Sequence, residues 1–172
     1  GKEPFAVILP DMLISKDNGK AGDSLKEMKL NFEKHQISSI LLGKAKKLDI
    51  PKYGIAQIKK NSKLPGLGFV KKIIEKPSIK KAPSNLYAAG RYIFNNDFFK
   101  YLSKVRPDKS NEIQLTDAIE HYIKDGKKVS AFLLDGDLFD CGNNEEYILA
   151  NLEFAMKDPV MQAKIINYLK TR

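Results

Sequence analysis

The chain opens on an unbroken apolar run, Phe5 to Leu9, closed by Pro10 and followed by Asp11. A short run rich in branched residues suits a strand buried on both faces, as at the centre of a parallel sheet; the pattern also allows a short buried helix segment. In "DSLKEMKLNFEKH", Leu25, Met28 and Phe32 follow helical spacing, and Ser24 with Glu27 forms a capping box. "ISSILLG", starting at Ile37, reads as a buried strand. "YGIAQI" and "FVKKIIEKP" read as two more, joined by the hairpin-like "NSKLPGLG" and stopped by Pro77. "NLYAAGRYIF" is another strand, and Asn95, Asn96 and Asp97 punctuate before the helix "DFFKYLSKV". A loop holding Pro107 and Asp108 leads to "EIQLTDAIEHYIKDG", whose Leu115, Ala118, Ile119, Tyr122 and Ile123 make one apolar stripe. "KVSAFLL" is a strand, "DGD" a turn and "LFD" a short apolar stretch ending in Asp140. The helix "NNEEYILANLEFAMKD" begins with Asn143 and Glu146 at capping-box spacing, and Pro159 opens a last helix at its favoured first position.

Strands alternating with helices predict an α/β fold layered around a mixed sheet. A length of 172 residues and a hydrophobic content of 42% fit one packed domain. The lone cysteine, Cys141, leaves no internal disulfide and suits a reducing compartment. No apolar run approaches the ~20 residues of a membrane helix, and the first residues do not have the form of a signal peptide. The expectation is a soluble, cytoplasmic chain without a membrane partner.

Charge changes this picture in one place. Between Lys44 and Lys81 stand twelve lysines against two acids, Asp49 and Glu75, while the formal charge of the whole chain is +9. All the excess therefore lies in that segment. Two readings stand open: a solvated lysine face, or a surface for a polyanion or a phosphorylated small molecule. Aromatic residues do not interleave with these lysines as they would on a base-stacking surface, which argues against nucleic acid.

In open α/β folds, ligands sit beyond the carboxyl ends of strands. Asp11 and Asp140 each close a strand candidate, and two such carboxylates can hold one hard cation such as Mg²⁺. The alternative is that each caps a turn. Glu75 and Lys76 are adjacent, so within a strand they would face opposite sides and one would be an ordinary surface residue. His35 and His121 lack metal-ligand spacing, and Phe98, Phe99 and Tyr101 read as the core and surface of one helix. Val160, Ala163, Ile166 and Leu169 recur on one side of the last helix, which then docks on a partner or on its own sheet.

The blocks "PFAVILPDM", "KYGI", "IIEKP", "APSNLYAAGRYIF", "NEIQLTDAI" and "FDCGNNEEYILANLEFAMKDP", in this order, closely resemble the bacterial UTP–glucose-1-phosphate uridylyltransferases, or UDP-glucose pyrophosphorylases. The resemblance runs from the first residue to about Pro159. It implies a Rossmann-like sugar-nucleotidyltransferase fold with a mixed, mainly parallel sheet flanked by helices and incomplete at its N-terminus. In that family "FAVILPD" is an internal strand, preceded by a GxGTR loop and a lysine that hold the triphosphate. Neither occurs here, and "LPGLGF" lies between two strands rather than at a helix start, so it is no substitute.

Residue by residue, the resemblance implies that Asp11 and Asp140 hold magnesium and that Gly54 contacts the sugar through its backbone. Glu75 would accept hydrogen bonds from glucose hydroxyls, Lys76 would reach the sugar phosphate, and Ala88 and Gly90 would line the pocket. Glu112 either shapes the sugar site or caps the following helix, and capping is the expectation for Thr116 and Asp117. The family often has two acids in "PDD" where this chain has Met12, which bears on the orientation of the first acid.

The implied partition is a sugar-phosphate and metal-binding part over 1–158 and a C-terminal helix over 159–172. The implied activity is magnesium-dependent transfer of a uridylyl group from UTP to glucose 1-phosphate, giving UDP-glucose and pyrophosphate. This chain would supply the sugar-phosphate half of the site and would be inactive, with an unpaired strand edge that favours self-association or a homo-oligomer. The alternatives are a non-catalytic remnant and a basic polyanion-binding module on the same fold.

Overall fold

The computed structural model describes residues 2–15, 23–60, 66–108 and 111–172. The chain divides into two compact units, one formed by Gly1–Ile8 with Gly22–Leu134 and the other by Leu9–Ala21 with Asp135–Arg172.

The first unit holds strands β1 (Phe5–Ile8), β3 (Ser38–Lys44), β4 (Ile55–Lys59), β5 (Gly68–Ile74), β6 (Leu86–Phe94) and β7 (Val129–Leu133), with helices α1 (Asp23–His35), α2 (Phe99–Leu102) and α3 (Leu115–Lys124). The strands form a six-stranded sheet in the order β1-β6-β3-β7-β5-β4. The mixed α/β architecture is as expected. Its parallel part, among the described pairings, is the single pair β3–β7; the other pairs are antiparallel. The parallel share is smaller than the alternation suggests because β4, β5 and β6 follow one another without a helix between them, and helical crossovers are what make neighbours parallel.

β1 lies at the open edge that the resemblance implied, but its pairing is antiparallel rather than parallel. Among the described residues it pairs with β6 alone, antiparallel, at one side of the sheet. Its half-buried Phe5 and Val7 alternate with exposed Ala6 and Ile8, so one face is covered and not both. Phe5 stacks on Phe99 at 4.4 Å.

Two irregularities in register place side chains where simple alternation would not. Between β4 and β5 the pairing slips past Lys71, so that Lys71 and Lys72 are both exposed without turning the following Ile73 outward. Between β3 and β6 it slips around Gly90, whose φ of 68° a side chain would disfavour. Every described lysine from Lys44 to Lys81 is exposed. Those on β4 and β5 therefore turn away from the core, on strands that are each paired on both sides, β4 with β5 and β6 and β5 with β4 and β7.

The core of this unit is aromatic near α3. Phe98 is fully buried and stacks on Phe94 at 3.8 Å, while Tyr122 meets it edge-on at 5.4 Å. The Tyr122 hydroxyl donates to Asp97 Oδ1 at 3.1 Å and lies 3.3 Å from Ser38 Oγ. Phe132, the register partner of Leu41, lines a cavity of about 580 Å³ together with Leu30 and Asn31 of α1. Because alternate residues face opposite sides, α1 and α3 cover opposite faces of the sheet. Helices are shorter than their apolar periodicity suggested: α2 is one turn after a 3₁₀ turn at Asn96–Phe98, and α3 starts at Leu115. α1 begins at Asp23, so Ser24 lies inside its first turn; the connection over 61–65 lies outside the described residues.

The second unit pairs β2 (Met12–Ser15), which the pattern did not announce, antiparallel with β8 (Asp137–Asp140), and adds helices α4 (Asn144–Met156) and α5 (Pro159–Lys170). Asn143 caps α4 as expected, accepting from the amides of Glu145 at 2.9 Å and Glu146 at 3.4 Å. Asp158 caps α5, with Pro159 in its first turn. Buried Ser15 donates to Glu153 Oε1 at 2.9 Å and accepts from Lys157, tying β2 to α4. α5 contacts α4 and buries none of its own residues.

Phe98→Ala removes a fully buried ring from the aromatic core and should cost about 3–5 kcal/mol of stability. Urea unfolding measures this directly, and a loss under about 1 kcal/mol would show that the ring is not part of a packed core.

Candidate active site

The described polar groups that could bind a ligand concentrate where β5 ends. The strand stops at Ile74, so Glu75 and Lys76 occupy a bend and not a ladder, and the rule that neighbours face opposite sides does not apply to them. Lys76 has a φ of 42°, in the left-handed region, and its amide donates to the carbonyl of Tyr53 at 3.1 Å. Both side chains line one cavity of about 500 Å³, together with Lys72, Asp108, Gln114, Asp117 and Glu120. Glu120 also accepts from the amide of Ile73 at 2.9 Å, fixing α3 against β5.

Glu75 is held by a residue given another role in the sequence. Thr116 does not cap α3: the N-cap is Gln114, and it makes no side-chain cap bond. Thr116 is buried and its Oγ1 donates to Glu75 Oε2 at 2.8 Å. The sequence signal was its position three residues before Ile119, which puts a hydroxyl on the apolar, sheet-facing side of α3. Glu112 shares Gln114 Nε2, at 3.1 Å, with Asp108.

The Glu75 carboxyl is raised above the usual range, first by burial. The Thr116 hydroxyl and Lys76 pull it back down, and the charges of Asp117 and Asp108 push it up. On the sheet side, the buried Tyr92 hydroxyl is pushed far up, by burial first and then by the negative charge of Glu75.

Gly54 belongs to the same cluster. A Cβ at Gly54 would lie 2.6 Å from Thr116 Cγ2 and 2.9 Å from Glu75 Oε2, so a bare backbone is what lets these two side chains meet. Its carbonyl accepts from the amide of Ala88 at 2.9 Å, which joins the cluster to β6. Ala88 is buried, and Gly90 sits in the irregular stretch beyond it; neither is among the described residues lining the Glu75–Lys76 cavity. Gly54, Glu75, Lys76 and Ala88 are thus connected, with Thr116 as the unforeseen member.

In the second unit, Asp11 lies in the turn before β2 and Asp140 ends β8, with Met12 paired opposite Asp140. Asp140 Oδ1 and Asp11 Oδ2 lie 3.1 and 3.4 Å from one point, the position a Cβ on Gly142 would take. The two oxygens are therefore no farther apart than the sum of those distances. Cys141 closes the turn by donating its amide to the carbonyl of Asp11 at 2.7 Å, and the Gly142 amide donates to Asp140 Oδ1 at 3.2 Å. The Cys141 thiol is pushed up, by desolvation first and then by the charges of Asp140 and Asp11, which makes it a poor nucleophile. Among the described residues no group of three or more His, Cys, Asp or Glu could hold a metal. A pair of converging carboxylates still fits Mg²⁺, which takes one or two and leaves its other positions to water and phosphate. Met12 is buried and is not a third donor.

A family model described as nucleotidyl transferase matches residues 2–157. The chain belongs to the nucleotidyl transferase family. Nucleotidyl transferases similar to it include the UTP–glucose-1-phosphate uridylyltransferase 1 of Staphylococcus saprophyticus, 33% identical over 171 residues, which are 99% of this chain and 57% of that protein. The corresponding Haemophilus ducreyi uridylyltransferase is 37% identical over 160 residues, 91% of this chain and 54% of that protein. A UDP-glucose pyrophosphorylase solved in complex with UDP-glucose superposes with a TM-score of 0.82 at 38% identity, over 92% of this chain and 58% of that one. The chain spans about half the length of the curated relatives it matches. The resemblance carried by the sequence blocks thus holds along nearly the whole chain. No helix among the described residues is long and apolar enough to cross a membrane.

Gly54→Ala should destabilise the fold by roughly 1–3 kcal/mol through overpacking. Combining it with Thr116→Ser removes the methyl that comes closest, and should recover part of that loss. A double-mutant cycle by urea unfolding checks this, and strictly additive effects would mean that Gly54 is not constrained by Thr116.

Proposed function

We propose that the chain supplies the sugar-phosphate and metal-binding residues of a UTP–glucose-1-phosphate uridylyltransferase. The observation that carries this reading is the bend after β5, where Glu75 and Lys76 open onto one cavity and Glu75 is anchored by Thr116. A cavity lined by Glu75, Asp108, Asp117 and Glu120 is rich in acceptors, which suits a ligand bearing several hydroxyls. Lys72 and Lys76 supply the cationic groups that a sugar phosphate needs. The relatives, named as uridylyltransferases and solved with UDP-glucose or UTP, support the choice of glucose 1-phosphate and UTP as substrates.

In the proposed reaction, a phosphate oxygen of glucose 1-phosphate forms a bond to the α-phosphorus of UTP. The bond from that phosphorus to the bridging oxygen breaks, so pyrophosphate leaves with the electron pair and UDP-glucose remains. Such a displacement needs alignment and charge neutralisation rather than a covalent protein intermediate. Glu75 accepts from glucose hydroxyls and fixes the ring, while Lys76 draws the sugar phosphate and offsets its charge. Asp11 and Asp140 would hold Mg²⁺, which when bound neutralises charge on the phosphate oxygens. No residue of this chain is assigned to the triphosphate.

In the complete protein, Lys76→Ala should remove one charge-assisted contact worth roughly 1.5–3 kcal/mol and lower kcat/KM for glucose 1-phosphate accordingly, with the fold unchanged. Asp140→Asn should raise the magnesium concentration needed for half-maximal pyrophosphate release. Wild-type kinetics in Lys76→Ala would remove the lysine from the site, and an unchanged magnesium requirement would do the same for Asp140.

A further inference from the structure

Thr116 has the geometry of a device rather than of a helix cap. It is buried at the second position of α3, where threonine is not a favoured helix former, and its hydroxyl is directed at a carboxylate on another element, 41 residues away in sequence. Its methyl occupies the space left open by Gly54, which fixes the side chain from the other side.

We infer that Thr116 is the positioning residue of the sugar site: its hydroxyl engages Glu75 Oε2 and leaves Oε1 as the oxygen presented to a glucose hydroxyl. The inference rests on the reading of Glu75 as the sugar acceptor and assigns the group that makes Glu75 fit for that role. A free glutamate side chain rotates about its last torsion between two equivalent carboxylate faces. One short bond to a buried, rotationally fixed donor removes that freedom before the sugar arrives, so less order is lost on binding.

The same bond acts on charge. The ionised carboxylate accepts at both oxygens, whereas the protonated acid carries a donor hydrogen on one of them. Burial works against ionisation, as do the charges of Asp117 from α3 and Asp108 from the loop before it. Lys76 beside it and the Thr116 hydroxyl oppose them. The charge of Glu75 acts on Tyr92 of β6, and Lys72 and Glu120 share the Glu75 cavity. Without the hydroxyl, the balance moves toward the protonated acid, and sugar binding should fail at a higher pH on the acid side than in the wild type.

Carbon-13 NMR titration of the Glu75 carboxyl in the complete protein tests the contact, and calorimetric titration with glucose 1-phosphate across pH tests its consequence. Thr116→Val, which keeps the shape and loses the hydroxyl, should move the Glu75 midpoint upward and weaken glucose 1-phosphate binding roughly tenfold, the scale of one lost polar contact. Thr116→Ser should restore both, which a role in packing alone would not do. A valine variant with wild-type titration and wild-type binding overturns the inference. If valine prevents folding, Thr116→Ala is read by the same two measurements. Undiminished glucose 1-phosphate binding in Glu75→Gln would instead overturn the sugar reading, while a shifted Glu75 midpoint in Thr116→Val would still establish the positioning bond.

Discussion

The hydrogen bond from Thr116 to Glu75 is the constraint around which the first unit is arranged. It ties the first turn of α3 to the bend after β5, and it forms only because Gly54 presents no side chain to the space between them. The neighbouring bonds support the same junction. Glu120 holds the Ile73 amide one turn farther along α3, Lys76 is hydrogen-bonded to the Tyr53 carbonyl, and Ala88 to that of Gly54. α3, β5, β6 and the segment before β4 therefore meet at a place where a carboxylate is kept partly buried. A partly buried carboxylate costs stability unless it is bonded and compensated, and here Thr116 bonds it while the charge of Lys76 offsets its own.

Backbone irregularities also lie in the two strands that reach this junction, β5 and β6. The slip in register at Lys71 lets two consecutive lysines stay outside while the strand delivers Ile73 to the core and Glu75 to the bend. The slip around Gly90 uses a left-handed residue that only glycine adopts without penalty, and Lys76 adopts a left-handed φ without being glycine. A lysine in that conformation carries a backbone cost of about 1–2 kcal/mol, which its amide bond to the Tyr53 carbonyl helps offset.

The second unit solves a simpler problem with few residues. A four-residue strand pair sets Met12 opposite Asp140, the turn at Cys141 and Gly142 closes onto the Asp11 carbonyl, and two carboxylates converge as a result. Gly142 is small where a side chain would crowd both acids. Like charges brought this close repel each other, which a divalent cation would relieve.

Local pattern determined most of the helices and strands, β2 excepted, because periodicity and capping are properties of neighbours: the stripe of α3, the Asn143 cap and Pro159 at the start of α5 all stood in the sequence. The resemblance of its blocks also fixed the family, and with it Asp11, Asp140, Glu75 and Lys76 as the residues to consider. Tertiary structure decided what depends on residues distant along the chain. β1 lies at one side of the described sheet, and most strands pair antiparallel, because pairing partners are chosen by burial and connection rather than by composition. Thr116 looked like a cap from its neighbours and became the partner of Glu75 through a contact spanning 41 residues. Gly54 looked like a surface for the sugar, and its missing side chain proved to make room for that contact, which no local pattern encodes.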